Sequence, residues 1–373
     1  MKFNIKYINL AAQYKSINNE IKKEINSVFK NSEFILRKHV FNFEKEICKI
    51  LGVKYCVSVN SGTDALLFAI SQVGLKKNDE VITSSHTYVA SVSAICHVGA
   101  VPVFVDIRDD FNIDPDLIEK KITKKTKAIM VVHLNGRCCD MKPIIKIAKK
   151  YNLKIVEDAA QGFGAKYNGK YIGNFGYAAA FSLHPMKNLS VPGDGGFLTT
   201  NNKKVYERVL LLRDHGRIKK GNKEIRKCYG FNSRLDNLHA SIALVKLKYF
   251  FGWISKRRKI AEFYNKELAG LNRNIVTPKF NKKDKTYEDT FNSYVIIAKK
   301  RNALRKHLLK NKIEVFSHID KGVHLEKNLY PKKIHLPKTE KIEKEILSLP
   351  IYPELSKKQQ LTICNAIKKF YFK

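Results

Sequence analysis

Between residues 54 and 200, short apolar runs alternate with longer segments of helical period, and this alternation limits the fold more than any other feature of the chain. Seven runs read as strands: 54–59, 80–83, 101–106, 128–133, 154–157, 178–182 and 196–199. Helical spacing predicts helices over 63–73, 88–97 and 141–151 between them. Strands that are apolar throughout are covered on both faces, as in parallel sheets with helices on either side. The expected architecture is α/β, with a mixed, mainly parallel seven-stranded sheet flanked by helices. A helical pattern also covers 16–50. Beyond residue 234 the pattern changes to a long helix over 235–268, a Lys-rich connection, a strand at 294–298, a helix at 302–311, a short strand at 313–316 and a last helix at 357–370. That second part reads as a smaller α+β unit. The expected division is 1–250 and 251–373, with the N-terminal helix free to pack on the small unit.

Charge narrows the function. Seventy Lys and Arg against 34 Asp and Glu leave a net charge of +36. Nucleic-acid binders concentrate such charge in a stripe or tail. Here Lys doublets recur from 22–23 to 368–369, so no nucleic-acid partner is expected. The scattered field would still draw in anionic substrates. Seven cysteines, with an adjacent pair at 138–139 and no CxxC spacing, form neither a disulfide framework nor a metal motif. No run approaches about 18 apolar residues and the N-terminus lacks a signal-peptide pattern, so a cytoplasmic protein without membrane contact is expected.

Open parallel sheets bind ligands at the carboxyl ends of their strands. After the first strand stands Asn60-Ser61-Gly62-Thr63-Asp64 at a helix start, either an ordinary cap or a phosphate cradle. After the second comes Tyr88, able to stack on a flat ring or to pack at a helix start. The fifth ends in Glu157-Asp158, followed by Gln161; the two acids point to opposite faces, so one can meet the site. A carboxylate there would keep a heterocyclic nitrogen protonated. After the sixth comes Ser182-Leu183-His184-Pro185-Met186-Lys187, then Gly193-Asp194-Gly195-Gly196. A partly desolvated lysine in such a loop can attack a carbonyl. Together these parts suit a phosphorylated, aldehyde-bearing pyridine, as in pyridoxal 5′-phosphate.

The chain resembles the DegT/DnrJ/EryC1/StrS family of sugar aminotransferases, which are fold-type I pyridoxal-phosphate enzymes. The stretches that carry the resemblance include SGTDAL (61–66), TKAIMVVHLNG (126–136), VEDAAQGFGAKYNGKYIG (156–173), FSLHPMKNL (181–189), GDGGFLTT (193–200) and GFNSRLDNLHASI (230–242). The resemblance implies that Lys187 binds the cofactor covalently and carries the substrate proton. It implies that Asp158 pairs with the pyridine nitrogen, that Gln161 lies beside the ring and that Tyr88 stacks on it. Gly62, Thr63, Asp64 and Ser182 would hold the phosphate, joined by Asn232 from a neighbouring subunit, so a homodimer with shared sites is implied. His184, His318 and His324 resemble substrate-loop residues.

The implied reaction moves an amino group from L-glutamate to a nucleotide-linked keto sugar. Asp194 in the GDGG segment resembles members acting at C3 of a keto-6-deoxyhexose; a 4-keto sugar or a free keto sugar or keto-inositol is the alternative. Lys187 argues against the related dehydratase, which has histidine there, and the cysteines lack iron–sulfur spacing. A regulatory or nucleic-acid-binding protein that keeps the fold is the non-enzyme alternative. Asn135, Arg137-Cys138-Cys139, His184 and Ser190-Val191-Pro192 depart from the common family pattern, and are expected near the substrate entrance.

Overall fold

The computed structural model describes residues 3–220, 223–280, 285–330 and 333–372. The seven expected strands are all present, as β1 (Tyr55–Val59), β2 (Glu80–Ser84), β3 (Val101–Val105), β4 (Thr126–Val132), β5 (Lys154–Asp158), β6 (Ala178–Ser182) and β7 (Gly196–Thr200). They form one sheet in the order β1-β7-β6-β5-β4-β2-β3. Only β7 runs against the rest, pairing antiparallel with β1 and β6. The carboxyl ends of β1, β2, β4, β5 and β6 therefore share one edge. Register fixes that edge: Val132 pairs with Asp158, and Asp158 with Ala180.

Helices cover both faces. The stretch read as helical over 16–50 is two helices, α1 (Leu10–Lys30) and α2 (Lys38–Leu51), parted by a turn in which Ser32 and Leu36 adopt positive φ. Helices α3 (Gly62–Ser71) and α4 (Val89–His97) begin directly after β1 and β2. Ser61 caps α3, its Oγ accepting from the Asp64 N–H at 3.0 Å. The helix Lys203–Arg213 and the hairpin Arg217–Lys220 with Lys223–Arg226 were not read from sequence.

The long helix Asn237–Leu268 runs unbroken through residue 250. Its first half joins α1, with Ile242, Val245 and Trp253 packed on Ile17 and Ile21. Its second half enters a separate core through Ile260, Ala261 and Tyr264, around a three-stranded sheet of Ile275–Val276, Tyr294–Ala298 and Ile346–Leu349. The expected strand at 313–316 makes only isolated bridges, Ile313 to Ile5 and Phe316 to Ser348. Ile5 thus belongs to the C-terminal core. No helix among the described residues is long and apolar enough to cross a membrane.

His86, at the end of β2, is 2% exposed and lies against the Phe111 ring. Burial pulls its pKa down to about 4, with the Asp106 charge working against that. The folded protein therefore refuses a proton that the unfolded chain accepts. Stability is complete above pH 6.5 and falls as pH drops toward 4, by about 3 kcal/mol across the window. His86→Phe keeps a ring and takes up no proton. Urea midpoints measured from pH 7 to pH 4 should decline less steeply for this variant; identical slopes would refute the assignment.

Candidate active site

A cavity of about 510 Å³ opens at the shared strand edge. Its walls bring together Gly62, Thr63, Tyr88, Asp158, Gln161, Ser182, His184, Lys187 and His318. These residues come from five separate segments of the chain.

Asp158 ends β5, and the pleat turns it into the cavity while Glu157 points away. Its Oδ2 accepts from Ser91 Oγ at 2.6 Å, and its Oδ1 from the Ala160 N–H at 3.0 Å. Thr87 Oγ1 backs Ser91 at 2.8 Å. The carboxylate is thus fixed by α4 and by its own turn. Glu157 is fully buried against His133 Nε2 at 3.0 Å. Burial raises its pKa, but the hydrogen bond and charge of His133 and the amides of Gly173 and Gly176 bring it below the usual range. One acid faces the site; the other braces the sheet.

Lys187 lies in the loop between β6 and β7, its N–H donating to the His184 carbonyl at 2.8 Å. Burial lowers the pKa of its amine, and the Asp158 charge partly offsets this. The amine in turn acts on two histidines. His318 is lowered by burial and then by the Lys187 charge. His184 is lowered by burial and by Lys187, with Asp194 opposing. A lysine so placed gives up its proton more readily than a solvated one.

Another part of the cavity wall offers groups that suit an anion. The amides of Gly62 and Thr63, first in α3, make no hydrogen bond among the described residues. A Cβ on Gly62 would stand 2.8 Å from that of Ser182, so glycine is what lets α3 approach β6. Ser182 Oγ accepts from the His184 N–H at 3.2 Å and keeps its own proton to donate. Helix start, small residue and hydroxyl are groups that suit a phosphate. With a carboxylate for a ring nitrogen and an amine for an aldehyde in the same cavity, the residues fit a phosphorylated pyridine aldehyde.

Three expected residues, Asp64, His324 and Asn232, do not line this cavity. Asp64 does not line it: its amide donates to Ser61 Oγ and its Oδ2 accepts from Ser233 Oγ at 2.6 Å. His324 lies outside the cavity, 4% exposed, with Nδ1 at 2.6 Å from Ser85 Oγ and Nε2 at 3.4 Å from Glu340. It ties the 322–324 turn to Ser85, just past β2. Asn232 is exposed and does not line this cavity.

The departures from the family pattern also separate. Cys138, Cys139, Ser190 and Val191 are buried, so they form no entrance. Asn135 has φ 59°, and its N–H fixes Gln161 Oε1 at 2.8 Å. Arg137 bonds Asp289 at 2.6 Å and lines a neighbouring cavity.

Sequence reasoning missed a second set of walls: Tyr7, Arg257, Asn292, Ser293 and Ser317. Tyr7 Oη lies 3.5 Å from His318 Nδ1, and Ser348 Oγ lies 3.2 Å from the same nitrogen. Burial raises the Tyr7 pKa, with hydrogen bonds to Ser293 and Ser348 opposing. Only Arg257 left a signal, a cation on the apolar stripe of Trp253, Ile254, Ile260, Ala261 and Tyr264.

Comparison with known proteins agrees with this geometry. The family model described as the DegT/DnrJ/EryC1/StrS aminotransferase family matches residues 15–368. A curated relative from Geobacillus stearothermophilus, named pleiotropic regulatory protein, is 39% identical over 99% of both chains. The dTDP-3-amino-3,6-dideoxy-alpha-D-galactopyranose transaminase of Aneurinibacillus thermoaerophilus is 40% identical over 94% of this chain and 95% of its own. The crystal structure of DesV from S. venezuelae superposes with a TM-score of 0.93 at 34% identity, covering 99% of each chain.

Proposed function

The chain belongs to the DegT/DnrJ/EryC1/StrS aminotransferase family, and from that premise we propose that it transfers an amino group from L-glutamate to a nucleotide-linked 3-keto-6-deoxyhexose. The class of reaction follows from the family: the protein is a pyridoxal-phosphate-dependent aminotransferase. The observation that carries the mechanism is Lys187, buried enough for its amine to be depressed, in one cavity with Asp158.

Pyridoxal phosphate, when bound, supplies the aldehyde that takes up nitrogen and a ring that accepts electrons. Gly62, Thr63 and Ser182 would hold its phosphate. Asp158, steadied by Ser91, would hold a proton on the ring nitrogen. Gln161, fixed by the Asn135 amide, and Tyr88 would confine the ring. Lys187 would move the proton at the substrate carbon, acting as base and then as acid. The depressed amine suits this, because a general base works best near the ambient pH.

The choice of a C3 ketone is supported by Asp194 in the GDGG segment, which lines the cavity, and by the C3 name of the relative from A. thermoaerophilus. Purified protein supplied with glutamate and a panel of 3-keto and 4-keto nucleotide sugars should aminate the 3-keto sugars, with the product position read by NMR. Exclusive amination of 4-keto sugars would overturn the C3 assignment.

We also propose a homodimer in which Asn232 serves the partner's cavity. Asn232 stands outside its own cavity, beside Tyr229 and Phe231, which are 101% and 48% exposed. Mixing inactive Lys187→Ala and Asn232→Ala chains should restore up to about one quarter of the wild-type rate if wild-type sites reassemble in hybrids. Proven hybrids without recovered activity would rule the shared site out.

A further inference from the structure

We infer that Arg257 recognises a carboxylate of the amino-acid donor. This deepens the glutamate reading above and rests on it.

Arg257 projects from the long helix into the wall of the cavity that holds Lys187. It is only 4% exposed. Its Nη1 donates to the carbonyls of Phe291 at 3.1 Å and Ile351 at 2.7 Å, which fixes the guanidinium plane. No carboxylate lies within ion-pair distance of it among the described residues.

Other enclosed arginines of this chain are neutralised. Arg213 is 3% exposed and bonds Glu44 at 2.5 Å. Arg137 bonds Asp289 at 2.6 Å. Burial brings the Arg257 pKa down to about 10, with the charges of Tyr7 and Glu354 opposing. Two carbonyls satisfy hydrogen bonds, but they do not cancel a buried charge.

An anion entering the cavity would. A carboxylate matches the planar fork of a guanidinium and pairs with it through two parallel bonds. Asn292, whose side-chain amide carries two N–H donors, also lines this cavity. The cofactor phosphate has its own cradle at Gly62 and Ser182. A nucleoside diphosphate is the other anion in the reaction, but its bulk suits the exposed mouth marked by Tyr88 and His184 rather than an enclosed arginine.

The test compares L-glutamate with its two monoamides, isoglutamine and glutamine, as donors. Because a ratio of kcat/KM values does not depend on the active fraction, partial misfolding of a variant does not spoil it. The wild type should prefer glutamate by about 100-fold or more over one monoamide, since a charged group left unpaired in a dry site is strongly rejected. Loss with isoglutamine assigns the α-carboxylate, and loss with glutamine the side-chain carboxylate. In Arg257→Gln that preference should fall below about 10-fold, with Arg257→Lys intermediate. Binding of 2-oxoglutarate by calorimetry should weaken in parallel, by about 30-fold or more in Arg257→Gln.

The inference is overturned if the wild type uses both monoamides as well as glutamate, or if the variants keep its discrimination. It is also overturned if Arg257→Gln leaves 2-oxoglutarate binding intact and weakens only the sugar nucleotide. Failure of glutamate as a donor sinks the donor assignment itself, a result visible in the wild type alone.

Discussion

Lys187→Ala is expected to lower turnover by about 10⁴-fold or more, because it removes both the nucleophile and the group that moves the proton. The loss should be chemical rather than structural. Lys187 makes no side-chain hydrogen bond among the described residues, and its loop is held instead by backbone bonds, including Leu183 N–H to the Gly195 carbonyl and Val191 N–H to the Leu183 carbonyl, both 2.8 Å. Lys187→Arg separates charge from proton transfer. It keeps the cation but stays protonated at all accessible pH, and should be as inactive as the alanine variant. Borohydride reduction of the wild-type holoenzyme should add the mass of the cofactor to the peptide containing Lys187, and the variants should show no such gain. More than about 1% residual turnover in Lys187→Ala would remove this residue from the centre of the mechanism.

Asp158→Asn should cost about 10²–10³-fold in turnover, the usual loss when one fixed charge at a reacting centre is removed. The substitution is nearly isosteric, so Ser91 and Ala160 can keep a partner. It also moves Lys187. The Asp158 charge now holds the lysine pKa up against burial. Without it, the amine should lose its proton at lower pH. The alkaline or acidic limb of the rate profile that belongs to Lys187 should therefore shift toward acid in Asp158→Asn. An unshifted limb together with an unchanged rate would show that the two groups do not act on each other.

The sheet was legible because its strands are short, apolar throughout and separated by helices long enough to cross over. The acids at 157–158 were legible for a related reason: strand alternation alone says that neighbours face opposite sides, and Asp158 and Glu157 do so. Legibility failed where structure depends on distant partners. Residues 313–316 have strand composition, but only single bridges to Ile5 and Ser348 are available there. His324 looked like a substrate ligand because its loop carries another histidine, His318, that does enter the cavity. Nothing local distinguishes the two; Ser85, more than 200 residues earlier, holds His324 outside that cavity. Tyr7 was invisible for the same reason, since its place is set by Glu314, whose Oε2 accepts from the Tyr7 N–H at 2.8 Å.

The seating of Ile5 and Tyr7 has a further consequence for biosynthesis. The amides of Asn4 and Ile5 bond the Lys312 carbonyl, and the Glu314 N–H returns to Ile5. Domains that fold as the ribosome releases them usually complete themselves from the front. Here the opening residues must wait through more than 300 codons before their partners emerge. Completion of the pocket, whose walls include both Tyr7 and His318, therefore waits for the late part of the chain.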